Sequence, residues 1–313
     1  MTLNSWTLCR RALLATALLG SPATQAQSAP CDRACLTGYV DAYFTALKTH
    51  DERALPQASS ARITENGAEK KLAGTFWPGA QDVVYRFDIV NTRRSDTGTE
   101  AVIRNADGSK TMLMLRLKLR SGVITEIETI KANKGDAGSR LWDPDQLRTV
   151  SPSLLLSIRE PARDSYYDLI GTAESYWRAF QTQGTPNYRR ARLLTDALRV
   201  ENGWHAAGVV RDGKFADAAR GFDEGTFVGR NVWDRRYPVV DEERGIVLSI
   251  VRLGLKAGAK SDFLSSANDL LVGEFFAIQN GQIREIQSVL YGMPDAKPTG
   301  WPADYGPGPG STE

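Results

Sequence analysis

The sequence predicts an α+β protein of two tandem units, each with helices packed on a long curved antiparallel sheet. Three observations carry this reading. Short segments recur in the same order in both halves, each half opens with a helical apolar pattern, and each continues with runs that alternate at period two.

The recurrences come first. DAYFTAL (41–47) resembles ESYWRAF (174–180), RITENG (62–67) resembles LRVENG (198–203), and LRSGVITEIETI (119–130) resembles IQNGQIREIQSV (278–289). The spacing widens between the second and third pair, so the second copy carries an insertion. The stretch near 205–235, rich in Gly, Ala, Asp and Arg and without a clean period, is its natural place.

Each copy opens with a helix. Leu36, Val40, Tyr43, Phe44 and Leu47 recur at helical spacing, as do Tyr167, Ile170, Ala173, Tyr176, Trp177 and Phe180. Strands follow. Val83, Tyr85, Phe87 and Ile89 alternate with Val84, Arg86, Asp88 and Val90. Leu113, Leu115, Leu117 and Leu119 alternate with Met114, Arg116, Lys118 and Arg120. Asp107-Gly108, Ser121-Gly122 and Asn280-Gly281 mark hairpin turns. A three-residue turn over 120–122 would set Leu117 opposite Thr125 and Arg116 opposite Glu126. The repeats are therefore expected at 31–145 and 160–292, joined by the stretch 134–153. A Gly- and Pro-rich tail at 293–313 is expected to be flexible, outside any core.

Residues 1–26 are set apart from both copies. A basic start, an apolar run from Ala12 to Leu19 and a small-residue exit at Thr24-Gln25-Ala26 read as a signal peptide. Export to the periplasm or beyond is expected, by the general secretory route, with Arg10-Arg11 admitting a twin-arginine route. No lipoprotein box or later spanning run is seen, so no membrane anchor is expected. Removing Arg10 and Arg11 with the signal leaves 37 basic against 37 acidic residues. That balance argues against a nucleic-acid partner. Cys31 and Cys35 then remain, and in an oxidising compartment they are expected to pair, with Cys31 at or before the helix cap. Metal binding is not expected, because the mature chain offers only His50, His205 and one cysteine pair.

The order of elements resembles the nuclear transport factor 2-like superfamily, also called SnoaL-like, and the pattern occurs twice. More closely, TENG (64–67), GVITEIETI (122–130), KGD (134–136) and RRYPVVDEERG (235–245) resemble a family of secreted tandem proteins common in filamentous fungi. The resemblance implies a cone with an apolar pocket and chemistry that needs no cofactor. It implies a small organic ligand and admits self-association through sheet faces. Members include isomerases, dehydratases and non-catalytic binders, so fold does not settle function. Their catalytic sets do not map onto this chain by spacing.

Candidate chemistry is weighed against packing at each place. Glu65 shares the strand face of Ile63, so Glu65 and its counterpart Glu201 could act as buried bases near a cone mouth. The competing reading is a duplicated turn, in which Gly67 and Gly203 adopt positive φ and the polar residues satisfy turn amides. His205 follows the second motif and has no imidazole counterpart, which points to copy two as the active one, with the insertion as a lid. A surface loop is the alternative. His50 closes a helix and is set aside as a cap.

Asn202 and Tyr237 are candidate oxyanion donors, and Arg235 and Arg236 a candidate anion clamp oriented by Asp241. The alternative for that segment is an ion-paired edge strand interrupted by Pro238. Trp77, Tyr85, Trp204 and Trp233 are pocket or core aromatics. The expected function is cofactor-independent proton transfer of isomerase, dehydratase or lyase type, the alternative a non-catalytic binding or interaction protein.

Overall fold

The computed structural model describes residues 31–259, 269–293 and 298–302, so the signal-peptide reading and most of the tail lie outside the described residues. The chain from Cys31 onward forms one compact unit. It is α+β, with two tandem helix-on-sheet repeats.

In the first repeat, α1 (Arg33–Thr49) starts where Asp32 accepts a hydrogen bond from the Cys35 N–H at 2.9 Å. Cys31, just before that cap, is disulfide-bonded to Cys35. The helix ends at His50, whose φ of 53° lets its N–H reach Leu47 O. Strands β1 (Gln57–Glu65), β2 (Ala68–Glu69), β3 (Ala80–Asn91), β4 (Asp96–Asn105), β5 (Lys110–Arg120) and β6 (Val123–Asn133) form a sheet in the order β2-β1-β6-β5-β4-β3. Only the β1–β6 neighbours run parallel.

The second repeat copies this plan. It comprises α2 (Tyr166–Thr182), β7 (Leu193–Glu201), β8 (Trp204–Ala207), β9 (Val209–Arg211), β10 (Lys214–Ala216), α3 (Arg220–Asp223), β11 (Arg230–Asp241), β12 (Ile246–Leu255), β13 (Asp269–Gln279) and β14 (Gln282–Met293). Its sheet runs β11-β12-β13-β14-β7-β8, the first order read backwards. The β9–β10 ribbon and α3 are extra to the shared plan. On α2 it is Tyr166 that turns inward, while Tyr167 is exposed.

The 120–123 hairpin departs from its expected register. Ser121 and Gly122 both have positive φ, 50° and 76°, which makes a two-residue turn of the type that suits strand twist. Arg120 then faces Val123 and, past a bulge at Lys118/Leu119, Arg116 faces Glu128 and Leu117 faces Ile127. The bulge restores the apolar match that a three-residue turn would have supplied.

Alternation along the strands gives each sheet two buried faces. One face of the first sheet packs on α1 through Leu36, Tyr43, Leu113 and Leu115. One face of the second packs on α2 through Tyr176, Trp177, Val272 and Phe276. The remaining faces meet each other in a third core with Phe87, Met114, Leu248 and Phe275. The two repeats are thus joined back to back along a seam, and each keeps its own helix-covered cone.

Candidate functional site

The Glu-Asn-Gly turns are built alike. Asn66 and Gly67 have φ of 50° and 78°, Asn202 and Gly203 φ of 47° and 82°. Asn66 Nδ2 donates to Lys131 O at 3.2 Å and its Oδ1 accepts from Lys131 N–H at 2.8 Å. Asn202 Nδ2 donates to Leu290 O at 3.2 Å and its Oδ1 accepts from Leu290 N–H at 2.9 Å. Each asparagine pins the last strand of its repeat to the first. The amide of Asn202 is therefore committed to backbone.

The glutamates of the two turns differ in company. Glu65 Oε1 accepts from Lys70 Nζ and Oε2 from the Phe76 N–H, both at 2.7 Å. Its cone is filled: Trp77 Nε1 donates to Tyr43 Oη at 2.8 Å, ring against ring, among leucines. A cleft of about 400 Å³ opens beside Glu65, lined also by Lys131, Asp136 and Tyr291. Glu201 lies inside the second cone, ion-paired with Arg199 two residues before it on the same strand face. Glu201 Oε2 and Arg199 Nε have no partner among the described residues.

Glu274 completes this set from β13. Burial pushes its carboxyl up to about 8, with Arg199 opposing and Glu201 reinforcing the rise. Burial alone would lower Arg199, but Glu201, Tyr176 and Glu274 hold it above the ordinary arginine value. Tyr176 is pushed up by burial. The groups border a cavity of about 30 Å³, room for about two waters. Trp177, Phe180 and Leu290 contribute apolar walls, and Phe227 of the insertion closes one side. Phe227 stacks on Phe180 at 4.1 Å between centroids, and its N–H donates to Gln183 Oε1 at 2.6 Å.

The polar floor belongs to copy two alone. Leu115 faces Thr129 as Glu274 faces Ser288, and Thr129 and Ser288 each bond a first-strand carbonyl. Glu274 thus replaces a leucine, and by the same alignment Arg199 replaces Ile63. Neither residue is among the sequence-stated candidates, although a lone glutamate within DLLVGEFFAI and an arginine two before Glu201 were visible signals.

The remaining candidates lie elsewhere. His205 pairs with Val200, which faces the seam, whereas Glu201 pairs with Trp204, so His205 and Glu201 project from opposite faces of the sheet. Burial lowers the His205 imidazole, with Glu285 and Asp143 opposing. Trp204 stacks under Arg211 at 4.6 Å, and Trp233 under Arg252 at 4.5 Å.

The segment 235–245 works on both sides of β11. Arg235 Nη1 donates to Glu174 Oε1 at 2.6 Å and Tyr237 Oη to Glu174 Oε2 at 2.5 Å, bracing α2. Arg236 turns to the seam, and Nη1 meets Glu128 Oε2 at 3.0 Å. Asp241 accepts from Arg33 Nη1 and Nη2 at 2.9 and 2.6 Å and from the Val90 N–H at 3.2 Å. Tyr85 is also a seam residue, its Oη raised by burial, then by Glu100 and Glu285. Among the described residues no group of three or more His, Cys, Asp or Glu is placed to hold a metal. No described helix is long and apolar enough to cross a membrane.

A family model described as a domain of unknown function (DUF8021) matches residues 162–290, the span of the second repeat. No curated protein matches the chain. Among solved structures, IdmH from Streptomyces antibioticus, described as a candidate polyketide cyclase, is 19% identical with a TM-score of 0.27. It covers 31% of this chain and 91% of its own. A candidate polyketide cyclase from Xanthomonas campestris pv. campestris is 18% identical over 30% of this chain and 88% of its own, TM-score 0.26. A DUF4783 family protein from Bacteroides ovatus is 13% identical over 30% and 94%, TM-score 0.23. At these scores the likenesses carry no argument about chemistry.

Proposed function

We propose that the second repeat receives a small organic molecule at the polar floor of its cone and moves a proton there without a cofactor. The reaction would be of isomerase, dehydratase or lyase type. One observation supports this above the rest: Glu201, paired with Arg199, and Glu274, raised to about 8, face one small cavity, where copy one has Ile63 and Leu115 at the places of Arg199 and Glu274. Two carboxyls whose surroundings differ in this way form an acid and base pair, Glu274 giving a proton and Glu201 taking one.

The alternative is a non-catalytic binding or interaction protein of the same fold. The size of the cavity, about 30 Å³, and the filled first cone favour it. Export is part of either reading. The pattern at 1–26 supports it, and the Cys31–Cys35 disulfide is compatible with it. Kinship with the secreted tandem family rests on the motifs quoted above.

Native mass spectrometry of the purified chain, with extraction of bound small molecules, is the first test. The second is NMR-detected α-proton exchange in D₂O on a panel of small cyclic ketones and β-hydroxy ketones. Wild type should accelerate exchange on at least one, and Glu274→Gln and Glu201→Gln should abolish it while staying folded. No bound molecule and no exchange in wild type would leave the non-catalytic reading.

A further inference from the structure

The two flanks of the seam are equivalent by strand register and opposite in chemistry. Arg236 faces Ile250 as Phe87 faces Glu100, and Arg116 faces Glu128 as Phe275 faces Gln287. On the first flank Arg116 and Arg236 surround the Glu128 carboxylate. On the second, Phe87 and Phe275 meet edge to face at 6.0 Å beside Gln287. Here the arginine places hold phenylalanines, yet two carboxyls, Glu100 and Glu285, are still buried in the same apolar layer.

Glu285 is satisfied in part. Its oxygens accept from Ser151 Oγ at 2.7 Å and Gln287 Nε2 at 2.8 Å. Glu100 is fully buried, and neither of its oxygens has a partner among the described residues. The same holds for Tyr85 Oη and Gln287 Oε1. The titratable groups that face Glu100 are Tyr85 from β3 and Glu285 from β14. Arg284 and His205 act electrostatically on Glu285, and the Arg284 guanidinium donates to Ser153 O and Arg244 O. Met114, its neighbour on β5, brings no charge.

We propose that Glu100 and Glu285 form a proton-gated seam between the repeats: a proton on Glu100 keeps the second flank closed, and its loss loosens it. A carboxyl buried without a cation is tolerable only when neutral. Protonated Glu100 is neutral beside the Tyr85 hydroxyl, whereas ionised Glu100 would set a second negative charge near Glu285. Burial, reinforced by Glu285, raises its carboxyl to about 8. The sign follows from linkage. The unfolded chain releases this proton near the ordinary value of 4.5 and the folded chain holds it to about 8. The share of seam stability that Glu100 contributes is therefore fully present below about 4.5 and is lost as pH rises through that window.

Amide hydrogen exchange of the full chain, corrected for its intrinsic pH dependence, tests this. From about pH 6 to about pH 9, protected amides of β4 and β14 should exchange at least about tenfold faster in wild type, the equivalent of one pKa unit. Glu100→Gln should remove the share of that rise that Glu100 contributes, most clearly at β4, whereas Glu274→Gln should remove only its own share and leave the rise at β4 in place. The same rise in Glu100→Gln as in wild type overturns the proposal. Should Glu100→Gln not fold, ¹³C NMR of the glutamate carboxyls decides. Glu100 should titrate well above an ordinary glutamate and shift down in Glu285→Gln; an ordinary midpoint in wild type overturns the gate.

Discussion

Arg236 of the second repeat and Glu128 of the first form a forked ion pair across the seam, with Nη1···Oε2 at 3.0 Å and both side chains buried. Arg116 adds a third bond at 2.8 Å from Nε to Oε2. Burial alone would raise the Glu128 carboxyl, but Arg236 and Arg116 bring it below its ordinary value.

Breaking this cluster leaves uncompensated charge in a dry layer. Glu128→Ala strips Arg236 of its carboxylate, with Arg116 keeping Glu126 and Asp96, while Arg236→Ala leaves Glu128 with Arg116. Denaturant unfolding should show a loss of about 3–5 kcal/mol for Glu128→Ala and a smaller loss for Arg236→Ala. A cost under about 1 kcal/mol for Glu128→Ala would mean the seam is wet enough to solvate Arg236.

How far the sequence showed this depended on the kind of signal. Helical spacing and period-two runs report burial of apolar residues directly, so the tandem α+β plan was legible from Leu36–Leu47 and Leu113–Leu119. Glu201 was legible because Ile63 and Glu65 share a strand face. Glu274 escaped because its partner Arg199 lies on a strand distant in sequence. Arg236 read as a ligand clamp because a strand pattern does not say which partner covers a face. Its carboxylate, Glu128, stands more than a hundred residues earlier and meets it only through back-to-back packing. The tail's Gly and Pro content likewise gave no hint that residues 298–302 dock.

That docking gives a second prediction. Trp301 Nε1 donates to Thr64 Oγ1 at 3.0 Å, and its ring lies 4.2 Å from the Arg62 guanidinium carbon and 4.7 Å from that of Arg116. Arg62 Nη2 also donates to Gly300 O at 2.6 Å. Trp301→Ala should cost about 1–2 kcal/mol from the lost cation–π contact and hydrogen bond. Trp301→Phe, keeping the ring, should recover part of that. Equal unfolding midpoints for wild type and Trp301→Ala would show that the segment contributes nothing.

The paired turns give a third. Asn66 and Asn202 make matching bonds to β6 and β14 and both hold positive φ. Asn66→Ala and Asn202→Ala should each lose about 2–3 kcal/mol, from two hydrogen bonds and backbone strain. Substitution by Gly should relieve only the strain. If Asn202→Ala were instead as stable as wild type, the latch would be wrong and a role in ligand binding would reopen.

Glu274 supplies the fourth, through pH. Its carboxyl is raised from 4.5 to about 8, chiefly by burial in the second cone. A raised acid binds its proton more tightly folded than unfolded. Its neutral form therefore stabilises the fold fully below about 4.5, and that advantage drains away as pH rises to about 8. Glu274→Gln removes this share of the decline. Its melting temperature should match or fall slightly below wild type near pH 5, where both side chains are neutral. Near pH 9 it should exceed wild type by roughly 5–10 °C, since each pKa unit is worth about 1.4 kcal/mol. Glu100 keeps its own share in both proteins, so the curves should converge at low pH and separate steadily above it. Parallel curves across the range would mean Glu274 ionises at its ordinary value, and the acid role assigned to it would fail with them.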